Sequence, residues 1–332
     1  MSARISVVAV TYSPGPALRT FVDSLKSAMT APYELVLVDN GSSDGSVAEL
    51  VACEEVRLIV ADRNVGYGGA ANLGVRATSG EFVVVANPDV EWHPGALDAL
   101  LEAARRWPDG GAFGPLVITA HGDVYPSARQ LPSLANGIGH ALCGWWWRGN
   151  PWTAAYRMDR EEPVERTSGW LSGCCLLLRR SAFEEVGGFD PAYFMYFEDV
   201  DLGERLGRAG WSNVYVPAAS ITHTRAHATS NYAARMAAEH HRSAWRYVSR
   251  RYSGWRWLPL RAALRVGIAL RSQLAQRVPR VAAGVGAERQ WLGNGNGHAQ
   301  AAPAVNGQSI AAHPAQKHAK AVGGVGEATG PR

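Results

Sequence analysis

Carboxylates stand at several points of this 332-residue chain where their neighbours suit them to chemistry. Asn87-Pro88-Asp89 closes an apolar run with a hard oxygen ligand, the kind that Mg2+ or Mn2+ prefers while also binding phosphate oxygens. His223, in Ile221-Thr222-His223-Thr224, ends another short β-like run and could bring an imidazole to the same cation. Glu198-Asp199-Val200-Asp201 follows directly on Tyr193-Phe194-Met195-Tyr196-Phe197, so a carboxylate there is shielded by aromatics and suited to removing a proton. Asp39, within Val38-Asp39-Asn40-Gly41-Ser42-Ser43-Asp44-Gly45, can accept hydrogen bonds from a pyrimidine ring nitrogen or a ribose hydroxyl. Asn64-Val65-Gly66-Tyr67-Gly68-Gly69-Ala70-Ala71-Asn72 opens a helix with glycines that admit a ligand closely, and the helix N-terminus favours phosphate. Group transfer from a nucleoside diphosphate needs a seat for base and ribose, a cation for the departing pyrophosphate, and a base for the acceptor hydroxyl.

Each segment also has a plainer reading. Residues 39–45 are turn and cap formers in any protein, and Asn-Pro-Asp is a common turn. Carboxylates at a helix start are favourable partners of its dipole, and a lone histidine is usually structural or exposed.

The elements that must position these residues alternate two periods. β-rich runs cover residues 5–11, 33–39, 56–60 and 81–86, separated by segments with helical spacing such as residues 17–28, which predicts βαβ units and a parallel sheet. Ligands of such sheets bind beyond the carboxyl ends of the strands, so Thr11-Tyr12, Asp39-Asn40 and Asn87-Pro88-Asp89 are expected to face one crevice. The first strand runs into Thr11-Tyr12-Ser13-Pro14-Gly15 rather than a GxGxxG turn, which argues against a dinucleotide oxidoreductase. Residues 112–219 are less periodic, with a further strand at 174–178 and a helix from Glu198, and are expected to build the acceptor side. Trp145-Trp146-Trp147, near Cys143 and Trp152, would touch an acceptor or pack in the core.

The composition, 47% hydrophobic and 19% charged, suits a large α/β domain with appendages. Cys53, Cys143, Cys174 and Cys175 show no metal spacing and no disulfide framework, which fits a reducing cytoplasm. No signal-peptide pattern opens the chain, and no stretch of about 18 uncharged apolar residues predicts a membrane span. The net charge is +4, yet residues 242–280 hold ten arginines and no Asp or Glu, which points to an anionic partner surface. Residues 231–252 predict a helix, and residues 255–278 interleave Trp255, Trp257, Leu258, Leu260, Leu264, Ile268, Leu270 and Leu274 with arginines, as in a helix lying on a membrane surface. No nucleic-acid motif accompanies the arginines, so no nucleic-acid partner is expected. Residues 293–332 lack large apolar side chains and are expected to be a disordered tail.

In this order the segments resemble family 2 glycosyltransferases of the GT-A fold over residues 5–223, particularly the bacterial rhamnosyltransferase branch. The likeness is closest in Ala86-Asn87-Pro88-Asp89-Val90, Val124-Tyr125-Pro126-Ser127-Ala128-Arg129-Gln130, Trp170-Leu171-Ser172-Gly173, Gly187-Gly188-Phe189-Asp190 and residues 193–202. It implies an α/β fold with a Rossmann-like nucleotide-binding sheet and helices on both faces. It divides the chain into a nucleotide-sugar-binding half (1–110), an acceptor-binding and catalytic half of the same domain (111–230), basic C-terminal helices that associate with membrane (231–292) and the tail. The activity implied is inverting, metal-dependent transfer of L-rhamnose from dTDP-L-rhamnose to the 3-hydroxyl of N-acetylglucosamine on a polyprenyl diphosphate, at the cytoplasmic face of the cell membrane. Thr11, Tyr12 and Asp39 would hold the thymidine; Asn64, Gly66, Asn72 and Asn87 would line the nucleotide-sugar pocket. Asp89 and His223 would hold Mg2+ or Mn2+, Asp199 would be the general base, and Arg129, Trp170, Gly173 and Glu198 would shape the acceptor side, with Trp170 stacked on a sugar. Many members carry Asp-x-Asp where this chain has Asn87-Pro88-Asp89, so the first carboxylate is here an amide. The alternatives are a family 2 enzyme with another donor or acceptor, and a non-catalytic nucleotide-sugar-binding module.

Overall fold

A computed structural model describes residues 5–52, 56–132, 163–224 and 233–277. The Trp145 cluster, Cys53, Cys143 and the tail from 293 lie outside the described residues.

The apolar runs become strands: β1 (Ile5–Thr11), β2 (Tyr33–Asp39), β3 (Arg57–Val60) and β4 (Phe82–Ala86). Between them lie α1 (Ala17–Ala28), α2 (Ser46–Val51) and α3 (Tyr67–Arg76). There follow β5 (Val90–Trp92), α4 (Ala96–Arg106), β6 (Gly110–Thr119), β7 (Val124–Tyr125), β8 (Ala128–Arg129), β9 (Arg166–Ser168), β10 (Trp170–Leu171), β11 (Cys175–Arg179) and α5 (Arg180–Glu185). The chain continues with α6 (Glu198–Arg208), β12 (Ser212–His223), α7 (Ala233–Arg251), a 3-10 turn (Trp255–Trp257) and α8 (Leu258–Arg277).

The main sheet runs β3-β2-β1-β4-β11-β6-β12-β5, with β7 beside β6 and β9 beside β12. The first four strands are parallel, as their βαβ spacing predicts. Beyond them the sheet is mixed: β11 inserts antiparallel between β4 and β6, and β5 pairs antiparallel with β12. Apolar periodicity reports burial, and a strand buried on both faces reads the same in either direction.

Alternate side chains of each strand feed two cores. Ile5, Val7 and Ala9 pack with Leu18, Phe21 and Leu25 of α1 and Leu97 and Leu100 of α4. Val8 and Val10 pack on the other face with Ala70, Ala71 and Val75 of α3 and Leu202 and Leu206 of α6. The helices therefore cover both faces, and α3 lies closest: a β-carbon on Gly74 would stand 2.3 Å from Val8 Cγ1. A third, smaller cluster of Trp170, Tyr193, Val200 and Tyr247 attaches α7 to α6.

Candidate active site

At the carboxyl ends of β1 and β2 the register sets Thr11 beside Asp39. Asp39 Oδ1 accepts from Thr11 Oγ1 at 3.1 Å, Ser42 N at 3.1 Å and Ser42 Oγ at 2.5 Å. Three donors on one oxygen fix the carboxylate, and Oδ2 has no hydrogen-bond partner among the described residues, leaving an acceptor for a ligand. Tyr12 stands beside it, partly exposed. Asn40, which the sequence reading placed at the crevice without a role of its own, is 4% exposed and ties the loops together. Its amide donates to Asn64 Oδ1 at 3.0 Å and to Gly66 O, its Oδ1 accepts from Val65 N at 2.9 Å, and its backbone N–H donates to Thr11 O. An asparagine after a strand reads as a turn former, so only its burial reveals this role.

Two expectations for the β3–α3 loop are corrected. The first N–H of α3, from Tyr67, donates to Phe194 O at 3.0 Å, and a β-carbon on Gly66 would lie 2.2 Å from that same oxygen. The glycine admits the chain's own residue 194, so this helix end is covered by protein where the sequence suggests a phosphate seat. Asn72 donates to Phe189 O at 2.8 Å and accepts from Phe189 N at 3.0 Å, so both ends of its amide clasp backbone instead of lining a pocket.

The antiparallel pairing of β12 with β5 sets His223 opposite Val90 and so beside Asp89. His223 Nε2 lies 3.1 Å from Asp89 Oδ1 and 3.2 Å from Asn87 Nδ2, and Thr224 donates from both N and Oγ1 to Asp89 O at 3.2 Å. Burial alone would lower the His223 pKa, but hydrogen bonds to Asp89 and Cys174 override it and push it up to about 10. Among the described residues no group of three or more His, Cys, Asp or Glu could hold a metal. The Asp89 carboxylate that holds a proton on His223 would share a cation with it instead, the metal taking the place of that proton, and the pair in that form fits a cation that also binds phosphate. Adjacent ligands of an octahedral Mg2+ at about 2.1 Å lie about 3.0 Å apart, close to the separation found here, and a two-ligand protein site leaves positions for diphosphate oxygens.

Asp199 and Glu198 open α6, preceded by Tyr196 and Phe197 in the left-handed region at φ 68° and 65°. Such backbone costs about 1 to 3 kcal/mol per residue and persists only under constraint. The constraint comes from α7: the His240 ring packs 5.5 Å from Tyr196 and 5.3 Å from Phe197, Tyr247 packs 5.6 Å from Phe197, and Ser243 Oγ donates to Met195 O at 2.8 Å. Asp199 Oδ2 accepts from Gly173 N at 2.9 Å and Oδ1 from Val200 N at 2.8 Å. Glu198 is 7% exposed, and its Oε2 has no hydrogen-bond partner among the described residues. Burial, then the neighbouring Asp199, pushes the Glu198 pKa up to about 8. Burial also raises Asp199, but Gly173 N–H, Val200 N–H and the Arg129 charge oppose it. Of the two adjacent acids, Asp199 therefore ionises first and Glu198 keeps its proton at neutral pH.

Gly173 shapes this corner, since a β-carbon there would stand 3.3 Å from Asp199 Cβ. Arg129 lies between Tyr125 and Trp170, 5.1 and 5.4 Å from their rings, and Nε donates to Pro126 O. Trp170 itself is only 7% exposed and donates its indole N–H to Gln130 O at 3.1 Å. The expected sugar-stacking tryptophan is thus corrected to a buried platform for Arg129. The arginine-rich stretch is also corrected in part: Arg242 pairs with Glu239, Arg246 with Asp190, Arg250 with Asp190 and Asp201, and Arg251 with Glu204. These four bind the domain's own carboxylates.

The polar groups form one continuous chain. Asp39, Thr11, Asn40, Asn64 and Gly66 lead to Tyr67, whose hydroxyl donates to Gly173 O at 2.6 Å. Gly173 holds Asp199, and Cys174 O accepts from Asn87 N beside His223 and Asp89.

The sequence profile of the family described as "Glycosyl transferase family 2" matches residues 6–187. The N-acetylglucosaminyl-diphospho-decaprenol L-rhamnosyltransferase of Mycobacterium tuberculosis (strain ATCC 25618 / H37Rv) is 53% identical over 289 residues, 83% of this chain and 94% of that protein. Among solved structures, the mannosyltransferase PcManGT from Pyrobaculum calidifontis in complex with GDP-Man and Mn2+ aligns with a TM-score of 0.51 at 16% identity, over 79% of this chain and 69% of that one. GalNAc-T7 with UDP, GalNAc and Mn2+ aligns with a TM-score of 0.51 at 16% identity, over 67% of this chain and less than half, 44%, of that one. At that identity the two structures speak for the fold, which is GT-A-like. The profile match over more than half of the chain and the extended identity to the mycobacterial relative show that this protein belongs to glycosyltransferase family 2 and is a glycosyltransferase.

Proposed function

We propose that the protein transfers L-rhamnose from dTDP-L-rhamnose to the 3-hydroxyl of N-acetylglucosamine on a polyprenyl diphosphate, with inversion. The observation that carries this reading is that hydrogen bonds and backbone neighbours link Asp39, Asp199 and Asp89 in one site, in a protein 53% identical to a rhamnosyltransferase over 94% of that enzyme.

Asp39 accepts from the thymidine through Oδ2, with Thr11 and Ser42 holding its other oxygen. Tyr12 and Asn64 border the nucleotide, and Asn87 borders the diphosphate. Asp89 and His223 hold a divalent cation, Mg2+ or Mn2+, which when bound neutralises the charge that develops on the departing diphosphate. Asp199, ionised and fixed by two backbone N–H groups, takes the proton of the acceptor hydroxyl as its oxygen attacks the anomeric carbon. One displacement turns the β-linked donor into an α-linked product. Glu198 stays neutral beside Asp199, so the acceptor meets one negative charge rather than two. Arg129 supplies a positive charge for the acceptor diphosphate.

A lipid acceptor requires approach to a membrane surface. Among the described residues no helix is long and apolar enough to cross a membrane. Support for peripheral association comes from Trp255, Leu258 and Val266, which are 84%, 54% and 59% exposed in a segment that also carries Arg256, Arg261 and Arg265.

The test is transfer to a synthetic N-acetylglucosaminyl-diphosphoryl lipid with dTDP-L-rhamnose, UDP-galactose or GDP-mannose, with Mg2+, Mn2+ or chelator. Metal-dependent rhamnosyl product is expected. Turnover with another donor alone overturns the donor assignment, and dTDP binding without transfer to any acceptor or to water supports a non-catalytic module.

A further inference from the structure

Tyr67 does two things at once. Its ring packs edge-on against Phe189 at 6.2 Å, and its hydroxyl donates to Gly173 O at 2.6 Å. The other end of residue 173 is the N–H that donates to Asp199 Oδ2 at 2.9 Å. The two bonds lie on different peptide groups, one on each side of the Gly173 Cα, so Tyr67 acts on Asp199 by fixing where residue 173 lies. Burial raises the Tyr67 hydroxyl well above its ordinary range, so it remains a donor across the working pH range.

We infer that Tyr67 is a positioning residue for the reaction, acting through Gly173 to hold and favour the charged form of the Asp199 carboxylate. This rests on the reading of Asp199 as the base. The groups facing Asp199 are Glu198 on its own helix, Arg129 from β8, and Tyr67 from α3, with Cys174 and Cys175 beside Tyr67. Of these, Tyr67 alone reaches Asp199 through the backbone of Gly173.

The experiment compares the full-length wild type with Tyr67→Phe, which keeps the ring and removes the hydroxyl. dTDP affinity, measured by calorimetry, reports whether the nucleotide end is intact, and kcat/KM for rhamnosyl transfer is followed from pH 5 to pH 9. Loss of the hydroxyl frees residue 173 to shift and loosens its N–H bond to Asp199 Oδ2, so Asp199 binds its proton more tightly and the acid limb moves to higher pH by about half to one unit. On that limb kcat/KM falls about three- to tenfold, and near pH 9, where Asp199 is ionised in both proteins, the rates converge. An equal loss at every pH, or no change, overturns the inference. Asp199→Asn separates the two readings: if it abolishes turnover while Tyr67→Phe leaves the limb in place, the Tyr67 inference alone fails. If Asp199→Asn keeps wild-type turnover, the base assignment fails first.

Discussion

Replacing Glu198 by glutamine separates the two adjacent acids in one experiment. In the folded protein burial and the neighbouring Asp199 push the Glu198 pKa up to about 8, against an ordinary value of 4.5. Between those values the folded state binds one proton more than the unfolded state, so stability falls as pH rises, by about 1.4 kcal/mol per unit. From pH 4.5 to pH 7 the loss is on the order of 3 kcal/mol, and it levels off above about pH 8, where both states are ionised. At 7% exposure the side chain is scarcely screened by solvent. Glu198→Gln removes this slope. Glutamine brings a pH-independent cost for its unpartnered amide, so the quantity to compare is the change in stability between pH 5 and pH 8, from urea unfolding of both proteins. The wild type is expected to lose on the order of 3 to 4 kcal/mol more than the variant over that range. Since Glu198 is neutral at pH 7 in either form, rhamnosyl transfer by Glu198→Gln is expected within a few-fold of wild type, while Asp199→Asn loses about 10²- to 10⁴-fold. Parallel pH–stability curves would refute the buried protonated acid. Loss of turnover in Glu198→Gln with retention in Asp199→Asn would reverse the two roles.

Asp89→Asn and His223→Ala are each expected to weaken Mn2+ binding in the presence of dTDP about tenfold or more, read by electron paramagnetic resonance, with chelator abolishing transfer by the wild type. Gly66→Ala combines a φ of 79° with a β-carbon 2.2 Å from Phe194 O. It should cost at least about 3 kcal/mol and lower Tm by about 6 °C or more, seen by calorimetry. Binding of the full chain to anionic vesicles should fall with added salt, and Arg256→Gln should weaken it about fivefold, the effect of one basic residue near such a surface. Sedimentation that ignores both salt and this substitution would count against a membrane face.

Much of the architecture was legible because it rests on local periodicity. Alternation in Ile5–Thr11 and Tyr33–Asp39, helical spacing in Ala17–Ala28, and turn formers at the strand ends are properties of neighbouring residues, and they foretold the parallel βαβ half and the polar strand ends. The direction of β11 was not legible, since Cys175–Arg179 has the same pattern whichever way it runs. The roles of Asn40 and Tyr67 were not legible because asparagine in a turn and tyrosine in a helix are ordinary, and their partners lie 24 to 26 and 106 positions away. Conversely, Gly66, Asn72 and Trp170 carry the residue types of a ligand site but are engaged by the chain itself.

The sequence by itself determined the βαβ scaffold, the identity and order of the acidic groups, and the family, because these depend on residue type and short-range spacing. Tertiary structure alone decided which acid is charged. Glu198 and Asp199 are adjacent in sequence, and what distinguishes them is Gly173, brought from 26 residues away to donate its N–H to one and not the other. It also decided that four of the arginines serve the fold, since a cation's partner is set by what folding brings within about 4 Å, and Asp190, Asp201, Glu204 and Glu239 are already there.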